Sequence, residues 1–257
     1  MAEEREVFLC SKEVRNMREV NIEEFNPQAN ETETRQVTRA YAQVFAGEPW
    51  NEYTQCSADG RFYGLTTKPG DPCECGAPVG LAYPEDDVMA YIIKETKRPN
   101  ALMLVAKDGD QVVGFSWGYQ FMNSGQFASE KYRTPEMQAQ VANILVNSGV
   151  FWGLYYFSET GIVPQYRGNG LTNEFYTRRI ELAQRLVLPV VVRTNRVSPI
   201  VAVTQRFGFK QVMGPAVRAE DKRIVQLGGL ANNILDRENE DRVLFVRDLP
   251  PMECRRW

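Results

Sequence analysis

The residues best suited to chemistry sit in one segment, Glu159-Thr-Gly-Ile-Val-Pro-Gln-Tyr-Arg-Gly-Asn-Gly-Leu-Thr172. An apolar strand predicted over residues 150–159 ends there, a turn containing Gly168 and Gly170 follows, and an amphipathic helix predicted over about 170–186 starts at once. Free amides at such a helix start, joined to a glycine turn, can wrap an anion such as pyrophosphate. Two glycines can equally make no more than a tight strand-to-helix connection, and the spacing alone leaves both readings open. The pattern is neither the G-x-G-x-x-G of dinucleotide sites nor the GK[ST] of a P-loop. No histidine occurs anywhere in the chain. Ser-His-Asp and Cys-His nucleophile pairs and His-ligated metals are therefore excluded, and base work falls to a carboxylate, Tyr, Lys, Cys or ordered water.

A second group lies in residues 51–84, a stretch rich in Gly, Pro, Cys and Asp with no evident periodicity. Cys56-Ser-Ala-Asp59 and Cys73-Glu-Cys75-Gly76 look like two degraded zinc knuckles. Zinc takes four tetrahedral ligands, and Cys56, Asp59, Cys73 and Cys75 just supply them. Against this, C-x-C is a poorer pair than C-x-x-C and Asp is uncommon in structural sites. A loop whose cysteines are buried or idle fits the same residues, and the sequence leans that way. The odd total of five cysteines has no framework spacing, which points to a reduced, cytoplasmic protein.

Periodicity supplies the elements that must position these groups. Val37, Tyr41, Val44 and Phe45 form a helical stripe over 31–46, ended by Gly47 and Pro49. A second helix is predicted over 85–97. Strands at 101–107 and 111–121 flank the hairpin turn Asp108-Gly109-Asp110. A helix is predicted at 134–147, a strand at 189–194, and a helix from Ser198-Pro199 to Gly208. Strands near 209–214 and 242–248 follow. Trp117, Tyr119 and Tyr155 could wall a pocket, although alternating aromatics in strands are more often core. The mixture of hairpins and strand–helix–strand units predicts an α/β (α+β) sheet with an antiparallel part.

Gln165-Tyr-Arg-Gly-Asn-Gly170 resembles the Q/R-x-x-G-x-G/A signature of the GNAT acetyltransferases. At the right distance, Asn195, Ser198 and Gln205-Arg-Phe-Gly-Phe-Lys210 look like the N-x-x-S/A…GF segment of the same superfamily. Residues 45–52 resemble the end of its first helix, and 242–249 its last strand. The likeness runs over about 19–50 and 85–249, in the correct order. It implies a single domain over 1–257, with a Cys-containing insertion at 51–84 and a helical insertion at 122–149, both shaping the acceptor pocket. The implied fold is a mostly antiparallel central sheet flanked by helices, with a V-shaped splay between its fourth and fifth strands.

The resemblance also implies roles. Main-chain groups near Ile162 and Val163 would hold the pantetheine arm of acetyl-CoA. Gln165, Arg167, Gly168, Asn169, Gly170, Leu171 and Thr172 would hold its pyrophosphate, with Asn195 and Ser198 on the other side of the arm. Asn195 also reads as a plain strand-end turn residue. Glu159 would be the general base for direct attack of a primary amine on the thioester. Where the family commonly has an acidic Tyr, this chain has Thr204, so no general acid is assigned. That departure also suits a non-catalytic acyl-CoA-binding module, the runner-up, ahead of a scaffold that has lost the cofactor. The acceptor is a small-molecule or peptide amine, and a homodimer is compatible with the fold. A formal charge of −3 gives no footprint for nucleic acid or an anionic membrane, and no apolar run reaches a membrane span. The acidic start, MAEEREVFLC, is unlike a secretion signal.

Overall fold

The computed structural model describes residues 20–215 and 241–248. Residue 19, Leu249, Cys10, Cys254 and the acidic N-terminus lie outside the described residues. Seven strands form the main sheet: β1 (Asn21–Glu24), β5 (Leu102–Asp108), β6 (Gln111–Phe121), β7 (Leu154–Ile162), β8 (Val190–Asn195), β9 (Lys210–Met213) and β10 (Arg242–Arg247). Their order is β1-β5-β6-β7-β8-β10-β9, and every pairing is antiparallel except β7 with β8.

Helix α1 (Glu31–Ala46) matches its predicted span because its stripe and its ends agree. Thr34, Val37, Thr38, Tyr41, Val44 and Phe45 are buried, and the Asn30 side chain accepts the Glu33 amide at 3.1 Å. It packs on β6, β7 and α2 (Glu85–Thr96). Helix α5 (Leu171–Arg185) lies against β5, β6 and β7, and α6 (Ile200–Arg206) against β8. Along β6, Phe115, Trp117, Tyr119 and Phe121 are fully buried, as is Tyr155 on β7, so these aromatics form core rather than a pocket wall. No helix among the described residues is long and apolar enough to cross a membrane.

Four features depart from expectation. No element is predicted over β1, whose four residues are too few for a visible period. The strand predicted over 150–159 runs instead from Leu154 to Ile162, because Gly149–Gly153 leaves the sheet and β6 offers a partner as far as Ile162. Residues 51–84 are not irregular. They carry a separate sheet of β2 (Thr54–Cys56), β3 (Phe62–Tyr63) and β4 (Val79–Leu81), ordered β3-β2-β4, with strands too short for a visible period. Within 122–149, the predicted helix is α4 (Pro135–Asn147), and a further helix, α3 (Ser124–Lys131), precedes it. The weakly amphipathic α3 is capped by Asn123, which accepts the Gln126 amide at 2.8 Å.

Candidate functional site

The cleft follows from the one parallel pairing. Strands β7 and β8 are joined only at Tyr155, Tyr156 and Phe157, facing Val190, Val191 and Val192. Beyond Phe157, β7 stays with β6 and leaves β8. On the β6 side Gly118 faces Phe157 while Trp117 faces Glu159, so Ser158 is the extra residue of a β-bulge. A cavity of about 710 Å³ opens in the resulting splay.

The bulge is held from beneath by a buried cation. Arg179 of α5 is fully buried, and one guanidinium nitrogen donates to the Trp117 carbonyl at 3.0 Å and the Glu159 carbonyl at 3.4 Å. The other donates to the Thr160 hydroxyl at 2.8 Å, and the group lies 3.9 Å from the Phe157 ring centre. Burial lowers its pKa to about 10, which leaves it protonated at neutral pH. The carbonyls that the bulge displaces thus meet a charged donor rather than an apolar helix face.

One end of the cavity is backbone. A short turn at Pro164–Tyr166 leads through Gly168, at φ 85°, and Gly170, at φ 79°, into α5, whose start has no side-chain cap. Both glycines occupy the left-handed region that side chains disfavour. A Cβ at either would meet no atom within 4 Å, so conformation rather than crowding demands glycine in the free protein. Arg167 ties this turn down by donating to the Ile162 carbonyl at 3.1 Å and the Glu48 carbonyl at 3.2 Å.

The other end is made of side chains. Glu159 is half-buried, and Tyr91 donates to its carboxylate at 3.2 Å. Burial chiefly, then the nearby charge of Glu95, raises the Glu159 pKa to about 7, against opposing help from Arg242, Tyr91 and Lys131. Glu95 is buried beneath it and accepts from Tyr119 at 2.9 Å and Ser158 at 2.6 Å. Glu52 accepts from Tyr83, and burial raises its pKa too. Glu52, Phe62, Tyr83, Tyr91, Lys131 and Arg242 all line this end with Glu159.

Of the residues singled out by sequence, Glu159, Ile162, Arg167, Gly168, Asn169, Gly170, Leu171, Thr172 and Ser198 share the cavity wall. Gln165 is exposed and lies off the wall. The Val163 amide already donates to the Val113 carbonyl at 3.0 Å, so by strand alternation Thr160 and Ile162 turn their main chain toward the splay. Asn195 also lies off the wall. Its side chain accepts the Val197 amide at 3.1 Å, which is the turn role. Thr204 is buried and donates to the Ile200 carbonyl at 2.8 Å. Its oxygen sits 2.9 Å from the Tyr176 hydroxyl, and Tyr176 lines the cavity. The ligand atoms of Cys56, Asp59, Cys73 and Cys75 lie within 4.8 Å of one another, away from this wall. Sequence reasoning gave no site role to Glu52, Tyr83, Tyr91, Glu95, Lys131, Arg179 or Arg242; Glu52 and Arg242 fall at the ends of segments that resemble the family, and the others carry no motif.

No protein-family model matches this sequence, and no curated protein does. Solved structures do resemble it. A mosquito arylalkylamine N-acetyltransferase-like protein, like 5b, is 14% identical, with 90% of this chain and 100% of that one covered at a TM-score of 0.50. A Drosophila melanogaster polyamine N-acetyltransferase that forms N-acetylagmatine is 14% identical, covering 90% and 100%, at 0.49. A GNAT superfamily phosphinothricin acetyltransferase from Sinorhizobium meliloti, in complex with acetyl-CoA, is 12% identical, covering 90% and 88%, at 0.47. The chain has the GNAT acetyltransferase fold.

Proposed function

We propose that this protein is an N-acetyltransferase that moves an acetyl group from acetyl-CoA to a primary amine in a ternary complex. The observation that carries this reading is Glu159. It is a carboxylate with a pKa raised to about 7, set at the bulge beside the splay and on the same wall as the glycine turn. Ile162 and Thr160 offer main-chain groups to the pantetheine arm, and residues 167–172 offer the pyrophosphate cradle. Ser198, which is buried on the facing wall, borders the arm.

Most primary amines are protonated near neutral pH, so the acceptor must lose a proton before it attacks. Glu159 takes that proton, and a base with a pKa near the working pH does so best. The amine nitrogen then bonds to the thioester carbon, the carbon–sulfur bond breaks, the pair leaves on the CoA sulfur as thiolate, and the nitrogen gives its surplus proton to water as the amide forms. Tyr176 is assigned to protonate the thiolate. Its phenol lines the cavity and reaches Thr204, where the family commonly has its own phenol. Glu52, Tyr83 and Lys131 bring both 51–84 and 122–149 to the acceptor end, which supports reading the chain as one domain with two pocket-shaping insertions.

The test is incubation with acetyl-CoA and a panel of amines with and without a carboxylate, followed by mass spectrometry of CoA and products. Acetylated product lost in Glu159→Gln, with acetyl-CoA still bound, supports transfer. Acetyl-CoA bound without turnover of any amine, peptides included, would favour the non-catalytic ligand-binding module. Activity should fall as pH drops through about 7, because the base is then protonated.

A further inference from the structure

We infer that residues 51–84 hold a structural zinc ion on Cys56, Cys73, Cys75 and Asp59. Cys56 closes β2, Asp59 lies in the turn to β3, and Cys73 and Cys75 lie between β3 and β4, so the four ligands tie all three strands of the small sheet. The Cys56 sulfur lies 3.1 Å from that of Cys73 and 3.5 Å from that of Cys75, and the carboxylate joins them within 4.8 Å. Thiolates about 2.3 Å from one tetrahedral zinc stand roughly 3.8 Å apart, which is close to this spacing. A disulfide would need about 2.05 Å and would leave one of three converging thiols over; all three are free.

The backbone is arranged for thiolates. The Ala58 amide points at the Cys56 sulfur at 3.4 Å, and the Cys75 amide at the Cys73 sulfur at 3.2 Å. Such N–H···S bonds stabilise ligand charge and fix the direction of the sulfur. Each half is a tight turn that returns a glycine amide to a cysteine carbonyl, Gly60 to Cys56 and Gly76 to Cys73, both at 2.9 Å. Three thiolates and a carboxylate around Zn²⁺ carry a net charge of −2, and Arg61, which lies 3.9 Å from Asp59 and also pairs with Glu74, offsets only part of it. Binding releases the three thiol protons to water. Soft sulfur ligands in a closed tetrahedral set select zinc over the hard, oxygen-seeking Ca²⁺ or Mg²⁺.

Packing gives an independent reason. The buried apolar cluster of this sheet is only Cys56, Cys73 and Val79, with Tyr63 and Ala77 against it. Strands of two and three residues over so small a core need a covalent or metal staple. The same sheet bears on the cavity. Phe62 stacks on Tyr83 at 6.5 Å, Tyr83 bonds Glu52, and all three line the acceptor end. Resting on the acetyltransferase reading, metal loss should therefore raise the KM for the amine while leaving acetyl-CoA affinity within about twofold.

The experiment is metal analysis of reduced, full-length protein from zinc-supplemented cells, read apart from any activity. We expect one zinc per chain, absent in the double variant Cys56→Ser/Cys73→Ser, and held against higher chelator concentrations in Asp59→Cys. Cobalt(II) added to demetallated wild type should give intense tetrahedral d–d bands and thiolate charge-transfer bands that saturate at one equivalent, whether or not the double variant folds. A reduced wild type with neither zinc nor those cobalt bands overturns the site. So does full zinc retained in a folded double variant, which would place the metal elsewhere.

Discussion

The end of the cavity at residues 167–172 is one continuous stretch of backbone, whereas the end around Glu159 is assembled from side chains spread between Glu52 and Arg242. The first needs two glycines and a helix start, which any sequence of that local form can provide. The second needs α2, α3, β7, β10 and the segment after α1 all in place before its carboxylates and phenols meet. A cofactor shared across a fold suits the first kind of construction, and an acceptor particular to one protein suits the second. Mutations should therefore separate the two ends.

The largest separation is expected from Glu159→Gln. It should lower kcat roughly 10²–10⁴-fold, the usual worth of a general base, with acetyl-CoA affinity by calorimetry nearly unchanged. Weakened cofactor binding of similar size would mean that the two ends are not independent. Arg179→Met comes next. It takes the buried guanidinium from the Trp117 carbonyl, while the Glu159 carbonyl keeps the Ser116 and Thr160 hydroxyls, and urea unfolding should show a loss of about 2–4 kcal/mol. A loss under about 1 kcal/mol would mean that the bulge is held without it.

Gly170→Val attacks the backbone end. A side chain at φ 79° costs about 1–3 kcal/mol of strain, and the acetyl-CoA Kd should rise more than about tenfold, or 1.4 kcal/mol. The amine KM extrapolated to saturating acetyl-CoA should hold. An unchanged Kd would remove the turn from the cofactor site. The finest test is Glu95→Gln, which keeps the side chain's shape and one of the two oxygens that accept from Tyr119 and Ser158, but removes a charge that raises the Glu159 pKa. The acid limb of the rate profile should move to lower pH by up to about one unit. A shift to higher pH would contradict the arrangement of charges around Glu159.

The glycine-turn end was legible because its signal is local. Gln165 to Gly170, followed by the stripe Phe175, Tyr176, Ile180 and Ala183, is a contiguous pattern, and the glycines are needed for φ rather than for distant contacts. Even there, local reading misplaced details. Asn195 serves its own turn, and the Val163 amide is taken by Val113. Arg179 is the instructive failure. On a helical wheel it reads as one more basic residue beside Arg178, and only the bulge opposite it gives a buried guanidinium carbonyls to bind. Thr204 reads as the loss of a phenol, and only the packing of α5 brings the Tyr176 hydroxyl within 2.9 Å of it.

The sequence by itself determined the order of the main helices and strands from α1 onward, though not β1, the small sheet or α3, together with the span of α1, the hairpin at Asp108 to Asp110, the glycine turn and the exclusion of histidine chemistry. Each rests on periodicity, turn preference or composition, which act over a few residues. Tertiary structure alone decided that β7 leaves β8 after Phe157 and that burial beside Glu95 raises the Glu159 pKa. It also decided that sulfurs seventeen residues apart, on Cys56 and Cys73, stand 3.1 Å from each other. Those facts depend on desolvation and on distances across the fold, and neither quantity exists until the chain has closed on itself.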